Sequence, residues 1–317
     1  MTVSARSEID ITASDGAASS IDRGFTGLVK AIACLTVFIL FWMTWVILTS
    51  ALPAIQAFGL GFLTSQDWDI GNLVFGGLPY IYGTLMTAAI AILLALPVGI
   101  AVALMTSENF LPRWVRSPLA LLVELIAAIP SVIIGLWGIF IFLDFLAPIQ
   151  SWLFQNFGWI PLFSTEPSSG YGLMAAGVIL AIMILPTIAT ITREVLLALP
   201  KELTSASRAL GATRWETLFR VILPTATPGI LGAATLGLGR ALGETMAVTM
   251  VIGNIAQISP SLFDSAYTIP AVLANEFGEA LDQLHIGSLT YLALVLFVVT
   301  FLVNMVAVSI ARGFTQK

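Results

Sequence analysis

Six long apolar stretches constrain the fold of this 317-residue chain more than any other feature of its sequence. The first runs from Ala31 to Leu52 without a charged residue. About 20 apolar residues suffice for one helical crossing of the hydrocarbon core of a bilayer. Five further stretches follow, at about Gly83–Met105, Ser117–Leu143, Tyr171–Thr192, Thr227–Gly253 and Ile286–Ala311. The pattern predicts an all-α, polytopic membrane protein with six transmembrane helices.

The composition leads to the same fold class. Apolar residues make up 58% of the chain, charged residues only 10%, and the mean hydropathy is +0.99. A water-soluble domain of ordinary composition carries about 25% charged residues. Membrane lipid must therefore cover much of the surface. The net charge of −5 argues against nucleic acid as a partner.

The positions of the basic residues predict the topology. Twelve of the 13 lysines and arginines fall on the same side of the predicted spans as the N-terminus. The three opposite loops, near 53–82, 144–170 and 254–285, contain none. Because cytoplasmic loops are enriched in lysine and arginine, we expect both termini in the cytoplasm.

The predicted spans divide the chain into three parts. Residues 1–27 are rich in serine, have no hydrophobic periodicity, and are expected to form a disordered cytoplasmic tail. Residues 28–312 form the six-helix domain, with a basic cytoplasmic loop at 193–226. Residues 313–317 form a second, short cytoplasmic tail.

The loop at 193–226 is predicted to contain two short helices and is therefore not an irregular connection. Pro200 precedes a short helix predicted at Lys201–Leu210, and Gly211 suits the left-handed position that ends a helix. The residues Thr213-Arg214-Trp215-Glu216 are typical of a capping box that begins a second helix. Pro224 and Pro228 are expected to end that helix before the fifth span. A loop that only anchors an amphipathic hairpin at the membrane surface would share this pattern.

The spacing within this loop resembles a known motif. Ser205-Ala206-Ser207, then Gly211, then Val221-Ile222-Leu223-Pro224 are similar to the EAA loop of ABC-importer permeases. Ser205 replaces the glutamate of that motif and Ser207 replaces an alanine. The resemblance implies a type I ABC-importer permease architecture, in which this loop docks onto the ATP-binding subunit. The expected coupling residues are Glu202, Ser205, Ala206, Ser207, Gly211, Trp215, Leu223 and Pro224.

Two charged residues lie within the predicted fifth span. Arg240 and Glu244 are four residues apart, so one helix would present both on the same face. A charge at the centre of a span costs about 2.5–3.5 kcal/mol, so such residues usually face a protein interior or a water-filled path. Arginine matches the oxygens of phosphate. We therefore expect Arg240, with Glu244 as its partner, and Thr245 to line a substrate path, the alternative being that Arg240 and Glu244 form an ion pair with only a structural role.

A second resemblance covers about residues 28–312. The run Gly237–Val248, the segment Ile129–Val132 and the segment Ala274–Ala280 resemble PstC-type permeases of bacterial phosphate importers. The resemblance implies a multi-pass protein of the bacterial inner membrane that imports inorganic phosphate. Its implied partners are a sister permease of the PstA type, two ATP-binding subunits and an extracytoplasmic phosphate-binding protein.

The chain shows no sequence pattern for chemistry of its own. No Gly-x-x-x-x-Gly-Lys-Ser/Thr motif occurs, so ATP is expected on partner subunits and no cofactor on this chain. With one cysteine, Cys34, and one histidine, His285, neither a metal site nor a catalytic residue is expected. The remaining alternatives are an ABC importer for another oxyanion or solute and an ion-coupled secondary transporter.

Overall fold

A computed structural model of the chain describes residues 16–108, 110–167 and 169–315. The described residues divide into two compact units, one that ends at residue 49 and one that begins at residue 50. In the first unit, helix α1 (Gly16–Phe58) begins at Gly16, and it continues into the second unit. Residues 16–27 are therefore helical rather than the predicted disordered tail, whereas residues 1–15 lie outside the described residues.

Helices dominate the second unit. After α1 come α2 (Leu78–Ser107), α3 (Arg113–Ala127), α4 (Ser131–Trp137) and α5 (Leu143–Phe157). The rest of the chain forms α6 (Leu173–Ala198), α7 (Lys201–Ala209), α8 (Arg214–Thr217), α9 (Leu223–Gly243), α10 (Met246–Val251), α11 (Ile269–Glu276) and α12 (Gln283–Thr315). Among the described residues, six helical segments are long and apolar enough to cross a membrane: Asp22–Leu63, Leu78–Ser107, Ser131–Phe157, Leu173–Ala198, Arg214–Gly243 and Gln283–Ser309. We number them as spans one to six.

Short elements lie at the end of span one, in the loop between spans one and two, and in the loop between spans three and four. Two 3₁₀ helices lie at Gly59–Leu63 and Pro161–Phe163, and strands β1 (Trp68–Asp69) and β2 (Val74–Phe75) form an antiparallel pair. Asp69 accepts hydrogen bonds from the Asn72 side chain and from backbone N–H groups in the turn between the strands. These bonds, that of the Asn72 side chain foremost, hold the pKa of the Asp69 carboxyl below its usual value.

The predicted third span is not one helix. Helix α3 ends at Ala127, and the chain resumes as α4 only after Pro130, whose φ of −58° and ψ of 138° are extended. Proline lacks the N–H group that a continuing helix needs, and it disfavours helical geometry in the residue before it. A π-helical turn at Gly138–Phe142 joins α4 to α5, so residues 144–157 are helical rather than loop.

The predicted fifth span differs at both ends. Pro224 and Pro228 do not end the second loop helix, because α8 continues through a π-helical turn at Leu218–Ile222 into α9. Span five then ends at Gly243, and α10 follows as a separate short helix. Helices α4 and α10 run in parallel, with Gly135 against Ala247 and Gly138 against Val251. The two breaks therefore lie at the same end of this helix pair.

Span four is the centre of the larger buried cluster. Its first N–H groups have no partner within the helix and are satisfied by a neighbouring loop. Gly172, Leu173 and Met174 donate their backbone N–H groups to carbonyls of Val251, Asp264 and Leu262, at 3.2, 3.0 and 2.8 Å. This pairing fixes the segment that follows α10 against the start of span four.

Candidate functional site

Arg240 lies in the last turn of α9 and is exposed on the surface of the chain. Its Nη1 donates a hydrogen bond to Oγ1 of Thr187 on span four, at 3.2 Å. Thr187 is 14 residues from Leu173 and 11 from Ala198, about 21 and 16 Å along the helix. The guanidinium is therefore attached to the middle of span four.

The predicted pairing of Arg240 with Glu244 is wrong. Within the described part of the chain the two side chains form no salt bridge. Glu244 has an extended backbone, with φ of −69° and ψ of 126°, because the helix ends at Gly243. Its Oε1 instead accepts the backbone N–H of Ala247 at 3.4 Å. Glu244 thus satisfies an N–H group in the first turn of α10 and does not neutralise Arg240.

Thr245 lies in the break beside Glu244 and is half-buried. Its Oγ1 donates to the carbonyl of Gly243 at 3.3 Å, and its own carbonyl accepts the Thr249 hydroxyl at 2.7 Å. Of the three predicted path residues, Arg240 thus lies at the end of span five, and Glu244 and Thr245 lie in the break that follows it.

This arrangement leaves a positive charge uncompensated. Thr187 holds Arg240 with a neutral hydroxyl, and no carboxylate of the described residues forms a salt bridge with the guanidinium. Guanidinium carries five N–H donors in a planar fork, of which Thr187 engages one. An unpaired charge near the middle of a span costs about 2.5–3.5 kcal/mol. The site is chemically suited to an anion that supplies both negative charge and acceptor oxygens.

The coupling loop has the predicted local structure. Helix α7 begins after Pro200, and Gly211 has φ of +88°, the left-handed conformation that favours glycine. Both bonds of the capping box are present: Glu216 N–H donates to Thr213 Oγ1 at 3.3 Å, and Thr213 N–H donates to Glu216 Oε2 at 2.8 Å. The predicted helix–glycine–helix design is confirmed.

The first three residues of the EAA-like motif, Ser205, Ala206 and Ser207, lie on α7. Ser205 and Ala206 are exposed, and the Ser205 hydroxyl donates to the carbonyl of Lys201 at 3.1 Å. Ser207 shares a 3.0 Å hydrogen bond with Thr217, whose side chain is buried. The serine at the third motif position thus joins α7 to α8 across the turn at Gly211.

The coupling loop exposes three large apolar side chains among charged ones. Leu210, Trp215 and Phe219 have 90%, 60% and 61% of their surface exposed. Arg214 stacks 4.2 Å above the Phe110 ring, on the loop after span two. Of the other predicted coupling residues, Glu202 and Pro224 are exposed and Leu223 is half-buried. Exposed apolar side chains of this size occur at surfaces that contact another protein or a membrane.

Two features of the structure were not predicted from the sequence. Thr187 carries no signal of its own, since threonine is common in helices of this composition. His285, taken as a loop residue, is buried in the first turn of α12. Its Nε2 lies 3.2 Å from Glu276 Oε2, which also accepts the indole N–H of Trp68 at 3.0 Å. Among the residues that the structure describes, no group of three metal-ligating side chains is placed to hold a metal ion.

In comparison with known proteins, the matching family model and the similar sequences are all membrane transport components. The model of a family described as binding-protein-dependent transport system inner membrane component matches residues 95–317. The chain is 44% identical to the phosphate transport system permease protein PstC of Mesorhizobium japonicum over 291 residues, 90% of this chain and 88% of that protein. Its identity to the protein of the same name from Xylella fastidiosa is 43% over 258 residues, 80% and 79% of the two chains.

The fold is also similar to a solved transporter. A chain of a bacterial alginate ABC transporter, in complex with an alginate-bound periplasmic protein, aligns with a TM-score of 0.59 at 17% identity. The alignment covers 94% of this chain and 98% of that one. At this identity the similarity concerns the fold alone.

Proposed function

The chain belongs to the family of binding-protein-dependent transport system inner membrane components, and on that premise we propose that it is the permease subunit that forms the path for phosphate import. It is a transport component and not itself an enzyme. Six apolar segments of spanning length and relatives named as phosphate permeases over most of their length support this function.

The choice of Arg240 as the anion site depends on one observation. The guanidinium of Arg240 is exposed, is held at the middle of span four by a neutral hydroxyl, and forms no salt bridge within the described residues. Phosphate carries negative charge and several acceptor oxygens, so it can both balance the charge of the guanidinium and accept its free N–H groups. Glu244, engaged with α10, leaves the positive charge available to the anion.

ATP hydrolysis takes place on separate subunits, because this chain has no phosphate-binding loop. The exposed apolar side chains of Leu210 and Trp215 form the surface onto which an ATP-binding subunit docks. Span four ends at Ala198, and α7 begins at Lys201, so the docking helix is three residues from the helix that holds Arg240. A displacement of α7 is thereby transmitted to the anion site.

Membership of the family implies the partners of this chain, and the charge pattern gives its orientation in the membrane. They are a sister permease of the PstA type, two ATP-binding subunits and an extracytoplasmic phosphate-binding protein. Both termini lie in the cytoplasm, where the basic residues of the loops concentrate. ATP binds only on the partner subunits, and this chain holds no cofactor.

Uptake by the reconstituted complex tests the function. We expect phosphate to enter liposomes only with ATP and the binding protein present, and excess sulfate or molybdate not to compete. ATP-independent uptake driven by an ion gradient would show a secondary transporter. Preferred uptake of another oxyanion would show an ABC importer of different specificity.

A further inference from the structure

The hydroxyl of Thr187 differs from most threonine hydroxyls in the helices of this protein. Oγ1 of Thr84, Thr87, Thr235 and Thr249 donates to the carbonyl four residues earlier, at 2.7–2.8 Å. Thr187 Oγ1 accepts from Arg240 Nη1, and its own proton has no acceptor among the described residues. The side chain is half-buried, beside an exposed guanidinium. An O–H donor is therefore free next to the proposed anion contact.

We propose that Thr187 is a second contact for the transported anion, and this inference rests on the proposed function of Arg240. A hydroxyl accepts and donates at the same time. Thr187 accepts from Arg240 and donates its proton to an anion oxygen, while the other N–H groups of Arg240 bind further oxygens. The ligand is an oxyanion with at least two acceptor oxygens on one centre, such as phosphate.

The position of Thr187 gives the contact a role in coupling. Thr187 lies on α6, which continues unbroken to Ala198 beside the coupling helix, whereas Arg240 lies on α9. The anion is thus held by two different spans. A movement of α6 driven from α7 separates the two donors, which weakens binding when the anion must be released.

The first experiment compares three variants in the reconstituted complex. Thr187→Val removes the hydroxyl at nearly constant volume, Thr187→Ser keeps it, and Thr235→Val removes a hydroxyl that only bonds within its own helix. The readout is the amount of phosphate imported per ATP hydrolysed with saturating binding protein. We expect this ratio to fall by about tenfold in Thr187→Val, because losing one hydrogen bond to a charged ligand lowers its affinity by about tenfold or more and ATP is then hydrolysed without phosphate being carried.

The controls separate a contact from a structural role. Thr187→Ser and Thr235→Val are expected to keep the ratio of the unmodified complex. An equal loss in Thr187→Val and Thr187→Ser, or a loss of ATP hydrolysis in parallel with uptake, would show a packing role and overturn the inference.

A second experiment tests the contact directly. In a Cys34→Ser background, Thr187→Cys places the only thiol of this chain at the site. We expect phosphate, but not chloride at equal ionic strength, to slow its reaction with a small thiol reagent in the assembled complex. Equal rates in the two salts would overturn the contact. If Arg240→Gln abolishes uptake while Thr187→Val transports normally, only this inference fails; if Arg240→Gln transports normally, the proposed anion site fails.

Discussion

Gly237 of span five lies against Ile188 of span four so closely that an added Cβ would stand 2.9 Å from Ile188 Cγ1. Two turns earlier in span five, a Cβ on Gly229 would meet Val195 Cγ1 at 2.5 Å. The residue numbers increase along one helix and decrease along the other, so the two spans pack in antiparallel fashion with glycines at the closest points. This approach of the backbones allows Arg240 to reach Thr187.

Gly237→Val is expected to destabilise the protein by about 1–3 kcal/mol, the usual effect of overpacking a tight contact. The same substitution at Gly232, where an added Cβ meets nothing within 4 Å, changes helix propensity equally but not packing. Unfolding of the two purified variants in detergent measures the difference. Equal stabilities would contradict the close packing of spans four and five.

Gly211→Val is expected to lower ATP-driven uptake without preventing insertion into the membrane. Gly211 has φ of +88°, and a left-handed conformation costs an ordinary L-residue about 1–2 kcal/mol. Relief of that strain changes the angle between α7 and α8. Gly211→Asn is the matched control, because asparagine tolerates this conformation. Normal coupling in an assembled Gly211→Val complex would remove the coupling role of the loop.

Ser207→Ala is expected to destabilise the coupling loop by about 1–3 kcal/mol, since it leaves the buried Thr217 hydroxyl without its partner. Adding Thr217→Val removes the unpaired group as well, so the double variant is expected to regain part of that stability. Protection of α7 and α8 in hydrogen exchange measures both effects. Additive losses from the two substitutions would show that the bond does not join the helices.

The topology is tested by cysteine labelling in a Cys34→Ser background. Leu210 and Leu281 are 90% and 94% exposed, and they lie in loops predicted to face opposite sides of the membrane. A membrane-impermeant thiol reagent is expected to reach Leu281→Cys only from outside and Leu210→Cys only from the cytoplasm. Labelling of Leu281→Cys from the cytoplasm would reverse the assigned orientation.

The sequence predicted those features that depend on local chemistry. Hydropathy marks the six spans because each must be apolar over about 20 residues. Gly211 and the pair Thr213 and Glu216 predict the coupling loop because each residue type satisfies a specific backbone requirement. The relatives named PstC agree with the resemblance seen in the run Gly237–Val248.

The interruptions of the spans were not predictable in the same way. An apolar window does not show that the chain leaves helical geometry at Pro130 or after Gly243, because hydropathy averaged over about 20 residues changes little with one proline or one charged residue. The prediction that Arg240 pairs with Glu244 was wrong because it assumed an unbroken helix across the second break. Proline was equally misleading at Pro224 and Pro228, where a preceding π-helical turn lets the helix continue. The partner of Arg240 lies 53 residues away in sequence, and only tertiary packing brings it close.

The central claim is that Arg240 contacts the transported anion, and phosphate uptake by Arg240→Gln and by Arg240→Gln with Glu244→Gln tests it most directly. If the two residues formed a structural ion pair, removing both charges would also remove the desolvation cost, and the double variant would transport. Because Glu244 bonds to α10 and not to Arg240, we predict that both variants assemble normally and neither imports phosphate. Near-normal uptake by the double variant would contradict the account.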